Sequence, residues 1–302
     1  MLAIKIEKLV KKYWNNQVLK EVNLEIKQGD FFALLWHNWA WKTTLISIMT
    51  NLVNKNTWKV YINWIDIDND FSLARSFIWV VPQEFNFDIF AKVKDICMTQ
   101  AGYYWIPKDI AEKRVNYYLE KLWLKEKENA KARELSGWMK RRLMIARALI
   151  HEPKILILDE PTAWVDVELR KSMWEFIKEL NSSGTTILLT THYLEEVEAL
   201  CKNVAIINRW EIIVNTSVSK LLLKLDEEIL VLNTTNKVKN LEKILVDNFS
   251  AKLLSDNEIE VTISKKHNLN YLFDCLNKCE IKISSFRNKV NRLEKLFIDI
   301  TK

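Results

Sequence analysis

The sequence predicts an α/β fold followed by a smaller α+β region, and three observations carry that prediction. A short apolar run, Phe31 to Leu35, passes through a loop into a stretch whose apolar residues Leu45, Ile46, Ile48, Met49 and Leu52 recur at helical spacing. A second apolar run, Lys154 to Leu158, closes on two adjacent carboxylates, Asp159 and Glu160. Beyond it, helix Val167–Leu180, strand Thr185–Leu189, helix Leu194–Cys201 and strand Asn203–Asn208 alternate, the pattern of a sheet with helical crossovers.

Taken in order, residues 2–9 and 18–27 read as strands joined by a turn at Tyr13 to Asn16. The strand 31–35 and a helix over Lys42–Leu52 follow, then short strands near Lys59–Asn63 and Ser76–Pro82. From about 88 to 150 the pattern is mostly helical, which predicts an inserted helical subdomain. Past Ile213 the character changes, with a helix and linker over Lys220–Glu228. The tail reads as strand 229–234, helix 238–247, strands 251–255 and 258–264, helix 267–278, strand 280–286 and helix 288–300. That alternation suits a small domain of split βαβ type. The expected boundaries are 1–225 for the large domain and 226–302 for the small one.

At 302 residues the chain has room for both. Its 49% hydrophobic and 28% charged content is that of a globular protein. Cys97, Cys201, Cys275 and Cys279 lack paired C-x-x-C spacing, which favours structural thiols in a reducing compartment over a metal site or disulfides. No apolar run approaches the ~20 residues a bilayer requires, and Leu2 to Lys12 lacks the apolar block of a signal peptide. A cytosolic location is the expectation. The formal charge of +6 suits an acidic partner or scattered solvated lysines equally.

One compositional feature stands apart: 4 Gly against 13 Trp. Ordinary glycine usage of about 7% would give roughly twenty in a chain of this length. The loop after Leu35 shows where the deficit falls. It reads Trp36-His37-Asn38-Trp39-Ala40-Trp41-Lys42-Thr43-Thr44. With glycine at each tryptophan it becomes G-H-N-G-A-G-K-T-T, a match to the phosphate-binding pattern G-x-x-x-x-G-K-[ST]. Trp14, Trp58, Trp64 and Trp210 stand at turn-like positions. Trp123 follows a helix end, where glycine is favoured. Trp105 lies in a loop, and Trp79 in the strand before Pro82. Only Trp174 lies inside an amphipathic helix, where glycine would cost about 1 kcal/mol. Twelve tryptophans therefore occupy glycine-like positions. UGA, which encodes tryptophan in one variant genetic code and glycine in another, differs from GGA by one base, so a recoding artefact explains the pattern. The alternative is a decayed, non-catalytic chain.

With glycines in the loop, its backbone N–H groups and the following helix N-terminus would wrap a nucleotide's phosphates. In that motif Lys42 would reach the β- and γ-phosphates and Thr43 would ligate Mg²⁺. Further parts accompany it. Leu135-Ser136-Gly137-Trp138-Met139-Lys140-Arg141-Arg142 reads as L-S-G-G-M-K-R-R, and Leu156-Ile157-Leu158-Asp159-Glu160 is an apolar strand closing on acids.

On these motifs residues 1 to about 225 resemble the ATP-binding subunit of an ABC transporter, a P-loop NTPase. The resemblance implies that Tyr13 stacks on adenine and that the loop Trp36, His37, Asn38, Trp39, Ala40, Trp41, Lys42, Thr43 and Thr44 holds ATP. Gln83 would touch Mg²⁺ and the attacking water and face the permease. Ser136, Gly137 and Trp138 (as Gly) would close on the other subunit's γ-phosphate. Asp159 would hold Mg²⁺ through water, Glu160 would be the catalytic base, and His192 the switch histidine. Ala163-Trp164-Val165-Asp166 matches the D-loop. Two copies would sandwich two ATPs head-to-tail.

Alone, His192 reads as a surface or cap residue, Tyr13 as packing, and Asp159-Glu160 as a solvated turn; their order and spacing together favour the functional reading. The run Gln83-Glu84-Phe85-Asn86-Phe87, the segment Gln100 to Tyr104, and the tail Phe286 to Phe297 resemble ABC-2 type export ATPases, which implies a separate integral-membrane permease as partner and no nucleic acid. The expected location is the cytoplasmic face of the membrane. A soluble ABC protein acting on ribosomes or DNA is the rival. The tail carries no motif for a ligand.

Overall fold

A computed structural model describes residues 1–14, 16–36, 40–162, 167–223, 227–238, 249–264, 269–278, 281–289 and 292–301. The chain divides into two compact units, Met1–Asn215 and Thr216–Lys302.

The first unit opens with β1 (Leu2–Tyr13) and β2 (Asn16–Lys27), followed by β3 (Phe31–Trp36) and α1 (Ala40–Met49). Next come β4 (Thr57–Ile62), β5 (Ile65–Asp66), α2 (Phe71–Phe77) and β6 (Ile78–Val81). The helical stretch contains α3 (Val93–Tyr103), α4 (Lys108–Lys121) and α5 (Gly137–Leu149). β7 (Ile155–Asp159), α6 (Val167–Ser182), β8 (Thr186–Thr190), α7 (Leu194–Leu200), β9 (Asn203–Asn208) and β10 (Glu211–Ser217) complete the alternation.

Two sheets result. One has the order β2-β1-β4-β5; the other has the order β10-β9-β3-β8-β7-β6, and its strands β9, β3, β8, β7 and β6 pair in parallel. All of β3 and β8, and β7 up to Leu158, are buried, as central parallel strands covered on both faces must be. The core joins both sheets through Ile4, Ile6, Leu24 and Ile26, Leu34 of β3, and Leu45 and Met49 of α1.

The second unit contains α8 (Val218–Leu222), β11 (Glu227–Thr234), β12 (Phe249–Ser255), β13 (Glu258–Ser264), α9 (Leu269–Lys278), β14 (Ile283–Asn288) and α10 (Arg292–Thr301). Its sheet has the order β12-β13-β11-β14 with antiparallel neighbours. That order, with α9 between β13 and β14, agrees with the split βαβ expectation. Leu272 and Leu276 of α9 pack on Leu230, Leu232, Ile259 and Val261.

Several elements differ from expectation. Ser76 and Phe77 close α2 rather than opening a strand; the helix is capped by Asp70, whose Oδ1 accepts the Leu73 N–H at 2.9 Å. A seven-residue helix leaves too little periodicity to read. The large unit's strand pattern continues past Ile213, because β10 runs to Ser217. Trp58 lies inside β4 and not at a turn. The last strand and helix begin at Ile283 and Arg292, later than expected. The helix expected over 238–247 falls almost wholly outside the described residues.

Helix ends explain a further shift. α1 stops at Met49 because Asn51 takes φ 55° and the Leu52 N–H returns to the Ser47 carbonyl at 2.7 Å, leaving Leu52 exposed. This is the Schellman motif, whose left-handed residue is usually glycine. α6 ends the same way, with Gly184 at φ 102° and Thr185 N–H on Leu180 O at 3.3 Å. α3 and α4 repeat it with tryptophan in the glycine place: Trp105 at φ 53°, with Ile106 N–H on Ala101 O at 3.1 Å, and Trp123 at φ 53°, with Leu124 N–H on Leu119 O at 2.7 Å.

Hairpins add three more cases. Ile62 pairs with Ile65, so Asn63 and Trp64 form a two-residue loop, and both have positive φ (48° and 58°). That is the type I′ arrangement for which Asn-Gly is the strongest signal. Arg209 and Trp210, between the adjacent β9 and β10, have φ 47° and 77°. Trp14, in the β1–β2 connection, has φ 54°.

Candidate functional site

The parallel strands of the larger sheet deliver their chemistry at their carboxyl ends, where open α/β sheets bind ligands. β3 ends at Trp36, and Lys42 lies in the first turn of the helix α1 that follows. β7 ends on Asp159 with Glu160 next, β6 is followed by Gln83, and β8 is followed by His192.

Three side chains meet on these two carboxylates. Lys42 is 1% exposed, and its Nζ lies 2.8 Å from Asp159 Oδ1 and 3.3 Å from Glu160 Oε1. Gln83 Nε2 donates to Glu160 Oε2 at 3.1 Å. His192 Nδ1 lies 3.3 Å from the same oxygen, with its ring half exposed. Glu160 is buried, its φ is 50°, and its N–H is fixed on the Thr190 carbonyl at 2.8 Å, which extends the β7–β8 ladder by one residue. A buried ammonium bracketed by two carboxylates satisfies the rule that buried charges are paired. It also leaves that ammonium where incoming phosphate oxygens could exchange with the carboxylates.

Residues that sequence reasoning did not single out hold this cluster. The Thr190 hydroxyl donates to Asp159 Oδ1 at 2.5 Å. Arg141 of α5 donates from Nη1 to Pro82 O at 2.6 Å and from Nη2 to Gln83 O at 2.5 Å, so it pins the backbone carrying Gln83. Burial lowers the Arg141 guanidinium's pKa, and the charges of Asp159 and Glu160 partly restore it. These contacts join residues far apart in sequence, and no spacing rule would have found them.

Other expected residues stand apart from the cluster. Tyr13 is partly exposed, with Lys11 Nζ 4.7 Å from its ring centroid. Ser136 caps α5, its Oγ accepting the Met139 N–H at 3.2 Å, and Gly137 begins that helix. Trp138 has Arg142 4.9 Å over its ring and a buried indole N–H with no acceptor among the described residues. Thr43 is exposed on the first turn of α1 and Thr44 is buried. His37, Asn38, Trp39 and Asp166 lie outside the described residues, as do the side chains of Ala40 and Trp41.

One side chain does not suit the site. The Trp36 indole is 7% exposed and sits 4.8 Å from Lys42 Nζ, against the group expected to meet phosphate. The remaining donor set, an ammonium, a hydroxyl, an amide, an imidazole and two carboxylates, fits nucleotide phosphate with a divalent cation.

The larger sheet and this cluster define an ATP-binding cassette, and the chain belongs to the ABC transporter family, whose pattern matches residues 19–163. It is 30% identical over 306 aligned residues to the linearmycin resistance ATP-binding protein LnrL of Bacillus subtilis, covering 99% of this chain and 98% of that protein. It is 37% identical over 205 residues to the Nod factor export ATP-binding protein I of Cupriavidus pinatubonensis, covering 68% of this chain and 63% of that one. Among solved structures, cbiO1 from Clostridium perfringens, part of the ABC transporter complex cbiONQ, superposes with TM-score 0.68 at 27% identity, covering 74% of this chain and 91% of that one. A dimeric ATP-binding cassette in a post-hydrolysis state with ADP and Pi gives 0.65 at 25% identity, covering 71% and 98%. The chain is thus an ATPase subunit of a transporter, in a family that binds adenine nucleotides, works with membrane permeases and forms dimers. None of its described helices is long and apolar enough to cross a membrane.

Proposed function

We propose that this protein hydrolyses ATP as a homodimer on the cytoplasmic face of a membrane to power an ABC-2 type exporter through a separate permease. The convergence of Lys42, Gln83 and His192 on Asp159 and Glu160 is the observation that carries this reading. Glu160 takes the proton of the attacking water, and Gln83 and His192, both on Glu160 Oε2, orient that water and sense the γ-phosphate. Lys42 leaves its carboxylate partners for phosphate oxygens. Thr43, Gln83 and Asp159 would hold Mg²⁺, which would supply charge neutralisation on the phosphates. Ser136, Gly137 and residue 138 face the nucleotide of the second copy, and Tyr13 its own adenine.

Export is supported by the names of the relatives, which concern linearmycin resistance and Nod factor export. Permease docking is supported by the exposed apolar side chains Phe85, Ile89 and Phe90 in the segment just after Gln83. A neighbouring gene encoding about six apolar spans, and copurification with its product, would bear the exporter out; copurification with ribosomes would sink it.

The reading includes glycine at the twelve positions. Among the described residues five tryptophans hold positive φ, two of them in Schellman motifs and three in hairpin connections. Trp14 and Trp105 are 100% and 92% exposed, so no burial offsets their strain. The indole N–H groups of Trp79 and Trp138 are buried with no acceptor among the described residues, whereas that of Trp174 donates to Glu196. TGA at the twelve codons with TGG at Trp174 is expected in the gene; TGG throughout refutes the recoding.

A further inference from the structure

Helix α7 carries a buried acid that the hydrolytic cluster does not use. Glu196 is 0% exposed. Its Oε1 accepts the Thr162 hydroxyl and, at 3.4 Å, the Trp174 indole N–H, while its Oε2 has no hydrogen-bond partner among the described residues. Burial pushes its carboxyl up to about 7, with the nearby Thr191 and Trp174 side chains and the charge of Arg170 acting against it and Glu160 adding to the rise. Arg170 also lies 4.4 Å over the Tyr193 ring, so α6 grips the start of α7 at two points.

Chain connectivity closes these contacts into a circuit. Thr162 is two residues beyond Glu160, and Glu196 is four beyond His192. His192 and Glu160 meet at 3.3 Å on one side, and Glu196 and Thr162 meet on the other. A shift of α7 along α6 would break the buried bonds and move His192 away from Glu160 together. Restoring those bonds elsewhere is costly, because a buried polar group left unmade loses its full solvation.

We propose that Glu196 is a positioning residue: by holding Thr162 and Trp174 onto α7, it sets His192 against Glu160. The proposal rests on the reading of Glu160 and His192 as the hydrolytic pair. It also gives Trp174 a task that needs an indole N–H.

The test uses the full chain with glycine at the twelve positions and Trp174 retained, labelled with ¹⁵N-tryptophan and ¹³C-histidine, comparing this parent with Glu196→Ala and Glu196→Gln. In the parent the Trp174 indole resonance, assigned by its loss in Trp174→Phe, moves through one transition near neutral pH; in Glu196→Gln it is flat. Glu196→Ala displaces the His192 ring signal and lowers kcat for ATP hydrolysis at least tenfold, with KM within about twofold. Glu196→Gln, which keeps an acceptor oxygen, restores both. If Glu196→Ala does not fold, Thr162→Val serves, with the same displacement expected. An unmoved His192 signal overturns the proposal whether or not the chain hydrolyses ATP. A parent that hydrolyses nothing, with His192 displaced by the variant, overturns only the hydrolytic reading.

Discussion

Trp36 and Trp174 place the same side chain in opposite circumstances. At the seam between α6 and α7, the Trp174 indole donates to Glu196, and the helix around it is regular and amphipathic. At the carboxyl edge of the larger sheet, Trp36 presses on Lys42, whose ammonium is bracketed by protein carboxylates. One indole is integrated by a specific hydrogen bond; the other stands where a loop should offer bare backbone to a ligand. Residue identity can therefore be judged by whether a side chain's particular chemistry is used.

The largest effect concerns the carboxylate that three groups address. In the chain with glycine at the twelve positions, Glu160→Gln lowers kcat by about 10³-fold, within the range of a lost general base, while ATP binding by equilibrium dialysis persists. If turnover survives, the Lys42 region is a structural ion-pair site and the contrast with the seam collapses.

Trp174→Gly comes next, costing about 3 kcal/mol in denaturant unfolding, from helix propensity and lost packing together. Of similar size is the pH dependence from Glu196. Its folded pKa of about 7 lies above its unfolded value, so the folded state holds a proton that the unfolded state releases. Stability therefore falls as pH rises from about 4.5 to 7, by about 3 kcal/mol, and Glu196→Gln removes that slope. His151 works in the other direction. Burial lowers it to about 4, so acidification from about 6.5 to 4 destabilises the fold. Urea titrations of Glu196→Gln across this range uncover the His151 slope alone.

The smallest effects are of opposite sign. Trp64→Gly, Trp105→Gly and Trp123→Gly each raise stability by about 1 kcal/mol, by relieving left-handed backbone at exposed positions. Destabilisation by all three would mean those indoles are used and would erase the distinction from Trp174.

Much of the site is legible in the linear sequence, because Lys42, Gln83, Asp159, Glu160 and His192 belong to local patterns tied to strand ends. Arg141, Thr190 and Glu196 are not, since each acts through a partner brought near only by the sheet and its crossovers. The element order is readable where apolar runs are long, as at β3 and β7. It fails at α2, too short for a period, and at the end of α1, where a left-handed Asn51 stops a helix that hydrophobic spacing would extend to Leu52. In the second unit, β14 is exposed beyond its first residue and so offers no alternation to mark its start, and β14 and α10 begin about three or four residues later than expected.

The central claim is that the nucleotide site is chemically whole once its loop is glycine. ATP hydrolysis by the full chain with glycine at residues 14, 36, 39, 41, 58, 64, 79, 105, 123, 138, 164 and 210, beside the chain as written, tests it directly. Turnover in the glycine chain that depends on Glu160, with none in the tryptophan chain, is the predicted result; equal turnover in both, or none in either, would contradict it.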